Sequence, residues 1–476
     1  MKLKRLLALL MAFGLVAAAC GGSDDADSSS DDSSTDADSG DEGSDDDDDD
    51  SMEEGDDDEG AMEEGGDPAE VATDFGVTDD TIRIGINADL SGPFAALVSE
   101  IVLSQEVYWE MVNENGGIGG RMIETVVLDS GYATDKGIEN YLDLAQESEE
   151  GVLMISENTG SPITAAIAED AADDDMLVIP LSWASLWPGE DYANILEKQT
   201  TYCAEAMNGV AWLVQKAEAE GVEPKLAIIS RPGEYGEDGH VGAELAADAL
   251  GVEVVYNGKG EVAGDDRTAV ISQLVDSGAT IVWNTLTPGE LADIFGNAVS
   301  QGFEAIWSGS GPSFSYPVLL AGDLAPAFDQ YYWQSGYYAP WNSTDAPGMQ
   351  EVVAEMTERR PDATLSDQYI TGWIEGIMVQ TILEQAIANG DMTRAGMVAA
   401  VQQVSMDFKG LAPNQSYNGG YDEIVVRESY IYDVSLADFD LAPLSAETGG
   451  SGLLIEEGPF VSDVLADYQF GGPCIG

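Results

Sequence analysis

Basic residues and histidine are scarce in this 476-residue chain, where 17 Lys plus Arg stand against 90 Asp plus Glu and there is one His. The resulting charge of −73 repels nucleic-acid phosphates and anionic lipid headgroups, so no nucleic-acid partner is expected. One histidine leaves little room for imidazole catalysis or a His-built metal site. Cysteine is equally rare, and three residues cannot form a disulfide scaffold. Apolar residues are plentiful at 44%, enough to bury a core and to exclude wholesale disorder. At this length more than one domain is expected.

The charge is unevenly placed. Lys2, Lys4 and Arg5 precede an apolar run at 6–19 that is too short to span a bilayer and has the build of a secretory signal. It closes on Ala17-Ala18-Ala19-Cys20-Gly21, which resembles the lipobox of exported bacterial lipoproteins, with Ala17 where an aliphatic residue is commoner. The expectation is a signal peptide over 1–19 and a lipid on Cys20 that anchors the mature chain outside the cell membrane. An ordinary cysteine beside a soluble cleavage site is the other reading. Residues 21–80 hold 28 acids and no base, with almost no aromatics, and cannot offset their ordering entropy. Segment 20–80 is therefore expected to be a disordered, self-repelling spacer. The remaining 62 acids and 14 bases leave 81–476 strongly acidic as well, which fits either a salty habitat or plain solubility.

From 82 to 310 short β-branched runs alternate with amphipathic helical runs, the pattern of an α/β protein with parallel sheets. One set has strands at 82–87, 123–129, 152–156 and 176–182, with helices at 95–115, 135–149 and 162–173, the last capped by Ser161. A second set has strands at 226–230, 252–256, 280–284 and 305–308, with helices at 205–219, 238–250, 268–277 and 289–301. A hinge-side strand at 331–338 comes next, then helices at 348–359, 368–389 and 394–403 and a strand pair near 424–433. Two doubly wound lobes are the economical reading. Ligands of open parallel sheets bind beyond the carboxyl ends of the strands, so the residues just after each strand line the expected cleft. Helix N-termini there favour a carboxylate or another anionic group.

Ile84-Gly85-Ile86, Leu90-Ser91-Gly92-Pro93, the run from Val112-Asn113-Glu114-Asn115-Gly116-Gly117 to Ile118-Gly119-Gly120-Arg121, and Asp129 together resemble the type I periplasmic binding proteins of the branched-chain amino acid class. Further matches stand at Gly160-Ser161, Tyr235-Gly236 and Pro288-Gly289-Glu290-Leu291, so the resemblance covers roughly 80–435. It implies a three-crossing hinge, with lobe one at 81–200 plus 335–411 and lobe two at 201–334 plus 412–476. It also implies a receptor that closes on a small-molecule ligand, either amino-acid-like, an amide, or an organic or aromatic acid. The receptor would deliver that ligand to the permease of an ABC importer. A sensor of the same fold that signals to a membrane partner is the alternative.

The ligand-binding residues expected on these grounds are Ser161, Leu181, Ser182, Trp183, Tyr235, Thr285 and Ser310. By the resemblance, Ser161 holds the ligand carboxylate and Tyr235 covers it. Trp183 falls where amino-acid binders place Thr, and Gly311 where they place the acid that meets the ammonium. A site without that carboxylate should prefer ligands without the cation, unless another acid such as Glu234 substitutes. Trp183 and Trp187 share one loop and could stack on a flat ligand or simply pack. The glycines at 116–120 follow a helix, which makes them a turn and no phosphate loop. His240 could pair with Asp238 or Glu244, but no nucleophile and base constellation accompanies it, so neither catalysis nor a cofactor nor a metal is expected. Cys203 and Cys474 are expected to form a disulfide that pins the C-terminal tail, two buried thiols being the other reading.

Overall fold

The computed structural model describes residues 71–475, apart from 265, 316–318, 321, 342, 344 and 447. The signal expected at 1–19, the lipid expected on Cys20 and the spacer expected up to 70 lie outside the described residues. Residues 71–80, expected within the spacer, belong to the folded part instead. Ala72–Thr73 pair in parallel with Asp391–Met392. The Asp74 carboxylate accepts the Arg394 backbone N–H at 3.1 Å, and the Arg394 guanidinium lies 4.9 Å from the Phe75 ring centre. Apolar Val71, Phe75 and Val77 give this stretch something to bury, which the acids before it lack.

Lobe one is built on a four-stranded parallel sheet in the order β2-β1-β3-β4, with β1 at Thr81–Ala88, β2 at Met122–Asp129, β3 at Met154–Thr159 and β4 at Val178–Leu181. Its central strand β3 is buried along its whole length, as a sheet covered on both faces requires. The helices are α1 (Ala95–Glu114), α2 (Thr134–Leu144) and α3 (Ser161–Asp173), where α2 packs on α3.

Lobe two carries a seven-stranded sheet. Its parallel part comprises β5 (Lys225–Ser230), β6 (Glu253–Gly258), β7 (Ile281–Thr285), β8 (Ile306–Gly309) and β9 (Tyr332–Gly336). Two long antiparallel strands, β10 (Ser429–Asp440) and β11 (Gly450–Phe460), extend it, giving the order β11-β10-β9-β8-β7-β5-β6. Side chains alternate across a strand, and the packing follows that rule. Leu226, Ile228, Ile281, Trp283 and Ile306 belong to one core cluster, with α4 (Tyr202–Ala219) and part of α5 (Glu234–Leu250). Ala227, Ile229, Val282 and Trp307 belong to another, with α6 (Thr268–Asp276), α7 (Pro288–Ser300) and α8 (Ala325–Tyr331).

The chain passes from β4 into α4, returns after β9 to form α9 (Met349–Arg359), α10 (Gln368–Asn389) and α11 (Arg394–Val401), and crosses again before β10. These are three crossings, and α10 packs along α1 to complete lobe one. The strand pair expected near 424–433 lies later in the chain. Tyr421–Ile424 forms a helical turn, and β10 pairs with a partner that starts only at Gly450. Beyond β11, a short helix at Asp463–Asp467 leads to a disulfide between Cys203 and Cys474, which spans 271 residues and fixes the tail to the start of α4.

Candidate ligand cleft

Loops that follow β1, β3 and β4 meet loops that follow β8 and β9 around one cavity between the lobes. It holds about 770 Å³ of unfilled space, part of it open solvent at the mouth. The loop after β1 delivers Phe94, and the Asp89 carboxylate fixes it by accepting the Phe94 N–H at 2.9 Å. After β3 comes Gly160 at φ 111°, where a Cβ would stand 2.8 Å from the Tyr132 ring, so only glycine brings the helix start this close to the wall.

Gly160 is the N-cap of α3, which corrects the expectation that Ser161 caps this helix. Ser161 is the first helical residue and lines the cavity, its hydroxyl bonded to the side chains of Ser182 and Tyr202. Ser182 is not on the wall. It stands behind, donating to Ser161 Oγ at 2.7 Å and accepting the Trp187 Nε1 hydrogen at 3.0 Å. That bond draws Trp187 back into the core, where it packs edge-on to Tyr192 at 5.3 Å, so it does not stack in the cleft beside Trp183.

Ser161, Leu181, Trp183 and Tyr235 come together on the cavity wall. Thr285 and Ser310 do not. Thr285 is buried against α5, where a Cβ on Gly239 would lie 2.6 Å from its hydroxyl. Ser310 is buried beside the carboxyl of Glu205. Tyr235, expected in a loop, lies on the first turn of α5, which starts at Glu234. Its hydroxyl donates to the Leu286 carbonyl at 2.8 Å and meets Ser313 Oγ at 3.1 Å, which holds the ring edge in place. Trp183 packs against Tyr202 at 5.6 Å and Tyr337 at 5.4 Å, while its indole N–H has no partner among the described residues.

Most of the remaining wall is apolar or aromatic, with Leu97, Ile101 and Tyr132 from lobe one and Tyr202 and Phe314 from lobe two. Tyr202 packs 4.7 Å from Tyr235, closing a belt of rings. Burial holds both phenols well above their ordinary range, so they are neutral hydrogen-bonding groups. Among the described residues no Asp, Glu, Lys, Arg or His lines the cavity. Glu234 therefore does not substitute for the missing acid at Gly311.

The nearest carboxylate to Gly311 comes from elsewhere. Glu205, in the first turn of α4, accepts the Gly311 N–H at 2.9 Å from behind the wall, and burial pushes it up to about 7. Behind Trp183 the Lys198 ammonium lies 5.5 Å from the ring centre and pairs with Glu375 at 2.6 Å, both side chains fully buried. Burial is the largest influence on Glu375 and raises its pKa, against the lowering effect of Lys198. Tyr202 and Tyr337 were not among the residues expected, and neither follows a strand of lobe one. Both reach the wall on crossing segments.

His240 is also placed. Its Nδ1 meets Ser230 Oγ at 3.1 Å and its Nε2 meets Asn257 Oδ1 at 2.8 Å, with Glu244 at 3.7 Å. Burial lowers its pKa, consistent with a neutral core imidazole. Asp238 takes no part in this. It accepts from Ser185 N at 2.9 Å and Cys203 N at 3.2 Å.

A family model described as periplasmic binding protein matches residues 81–439. A fatty acid ABC transporter substrate-binding protein from Thermomonospora curvata is 30% identical, with 84% of this chain and 97% of that one covered and a TM-score of 0.74. A branched chain amino acid ABC transporter protein from Thermus thermophilus, solved with bound valine, shares the fold at 18% identity and a TM-score of 0.64, covering 82% and 99%. Leu/Ile/Val-binding protein homolog 3 of Brucella melitensis biotype 1 is 22% identical over 204 residues, 42% of this chain. The chain spans about half, 53%, of that curated relative's length. With two sheets, three crossings and a shared cleft already in place, these matches make the chain a member of the periplasmic binding protein family, with the type I fold of ABC transporter substrate-binding proteins.

Proposed function

We propose that the chain is an extracytoplasmic receptor that captures a small carboxylic acid with an apolar body and passes it unaltered to the permease of an ABC importer. One observation carries the choice of ligand: the cavity is walled largely by rings and aliphatic side chains, and among the described residues no charged side chain lines it. An α-amino acid would bury its ammonium there without a counter-charge, at a cost of roughly several kcal/mol. A carboxylate needs only donors. The Ser161 hydroxyl, the start of α3 and the unpartnered Trp183 N–H supply them on one side, while the ring belt takes the apolar body. The relative from Thermomonospora curvata, described as a fatty acid receptor, supports the same class. The lipobox at Cys20 supports a membrane-tethered location, and the two-lobed cleft supports capture by hinge closure. Export and lipidation at Cys20 are part of this reading.

The test is a thermal-shift titration of the mature chain with medium-chain fatty acids, aromatic acids, their amides, and leucine or valine. A ligand at about 100 times its Kd adds roughly 2.7 kcal/mol and raises the melting temperature visibly. Shifts with the acids and none with amides or amino acids support the proposal. A shift with leucine or valine alone overturns it.

A further inference from the structure

A second pocket lies where the first and third lobe crossings meet, away from the cleft. It holds about 690 Å³ of space open at its mouth, between the segment at 187–197 and the segment at 417–424. Trp187, Tyr192, Tyr417 and Tyr421 supply rings to it, Glu190 and Glu197 are its acids, and among the described residues no basic side chain lines it.

Glu197 is the unusual feature. It is 1% exposed, and neither carboxyl oxygen has a hydrogen-bond partner among the described residues. Buried polar atoms are almost always paired, and a carboxyl group with both oxygens unpaired is expensive to hold. Its neighbours are committed elsewhere. The Tyr417 hydroxyl donates to the backbone carbonyl of Glu197 itself, and the Tyr421 hydroxyl donates to the carbonyl of Ser185. Asp238, close enough to repel the Glu197 carboxylate, is taken by Ser185 and Cys203. Burial first, and Asp238 after it, raises the pKa of this carboxyl, which lies against the pocket with rings around it and no donor among the described residues.

We propose that this hinge pocket binds an organic cation, an alkylated amine or quaternary ammonium, with Glu197 as its counter-ion and the aromatic rings as its walls. Ring faces carry negative potential and attract such cations, which need no hydrogen-bond acceptors of their own. A hard metal ion demands six or more oxygen ligands, and this wall is mostly rings. The strongly acidic chain adds a field that concentrates cations of any kind, so the test must separate site binding from screening.

The probe is choline chloride, with tetramethylammonium as a second cation, titrated into the mature chain against equimolar sodium chloride. A melting temperature that rises to a plateau above the sodium control is expected. Glu197→Gln should weaken that response tenfold or more while keeping the response to a cleft ligand. Tyr192→Leu, at a half-exposed ring, should weaken it with the fold intact, so the proposal stays testable if the Glu197 variant folds poorly. Equal responses to choline and sodium overturn the proposal, as does a Glu197→Gln protein that still responds like the parent. A saturable response to calcium with none to choline overturns it as well.

Discussion

The Glu205 carboxylate accepts the Gly311 backbone N–H at 2.9 Å across 106 residues of chain, joining α4 to the loop after β8 beneath the cleft. That position costs the carboxyl its water, and burial is the first cause of its rise to about 7. Glu100 is likewise pushed up to about 7, and Asp238 and Asp367 to about 6, burial again the largest cause. The folded chain therefore holds these protons more tightly than the unfolded chain does. Their contribution to stability is fully present below about pH 4 and is lost as the pH rises through about 7. We expect the melting temperature to fall between pH 5 and pH 8, and Glu205→Gln, whose side-chain oxygen can still accept from Gly311, to flatten part of that slope. A melting temperature that rises steadily over this range would contradict the assignment.

Ser161→Ala removes the hydroxyl at the start of α3. A hydrogen bond to a charged group is worth about 1.5–3 kcal/mol, so affinity for a carboxylic acid should fall about 10- to 100-fold. Stability without ligand should change less, by about 1 kcal/mol, because the Ser182 and Tyr202 hydroxyls lose this partner while Ser182 keeps its bond from Trp187. Titration calorimetry on parent and variant separates the two effects.

Gly372 on α10 lies so close to α1 that a Cβ would stand 2.1 Å from the Ile101 carbonyl oxygen. That oxygen belongs to a helix backbone and has nowhere to move. Gly372→Ala should cost about 1–3 kcal/mol in urea denaturation, and weaken cleft ligands too, since Ile101 lines the cavity. Gly289→Ala in α7, where a Cβ meets nothing within 4 Å, is the control and should be neutral or gain about 0.5 kcal/mol.

Reducing the Cys203–Cys474 disulfide frees the tail and relaxes a constraint on 271 residues of the unfolded chain. A loss of about 2–5 kcal/mol is expected, read as the melt with and without reductant. Cleft affinity should stay the same, because no described residue after Leu453 lines the cavity. Mass mapping of unreduced peptides checks the pairing directly.

The strand and helix alternation was readable because each lobe's strands are short β-branched runs flanked by helices with caps and turns, and α10 falls at Gln368–Asn389 as its apolar pattern predicts. Ser161 and Trp183 were accessible through the rule that ligands sit beyond strand ends. Strand β11 was not, because Gly452, Gly458 and Pro459 interrupt its alternation and Glu456 and Glu457 stand where a buried strand would be apolar. Tyr202 carries no local mark of its role, since the first lobe crossing brings it to the wall, while Tyr337 follows β9 directly and was hidden because the strand was expected to run to 338. Glu205 reads as an ordinary acid in a helix's first turn, and nothing nearby in sequence announces its bond to Gly311.

The packing of α10 on α1 sets an order of assembly. Gln105 on α1 donates to Glu375 on α10 at 2.6 Å across 270 residues, and Lys198 on the first crossing closes on the same Glu375. A chain that emerges from its amino end first has the whole of lobe two to make before the cover for α1 arrives. Until about residue 390 is free, the first sheet keeps an apolar flank exposed and cannot lock. Such a chain stays unfinished for most of its synthesis, and its first lobe closes only after α10 has been made.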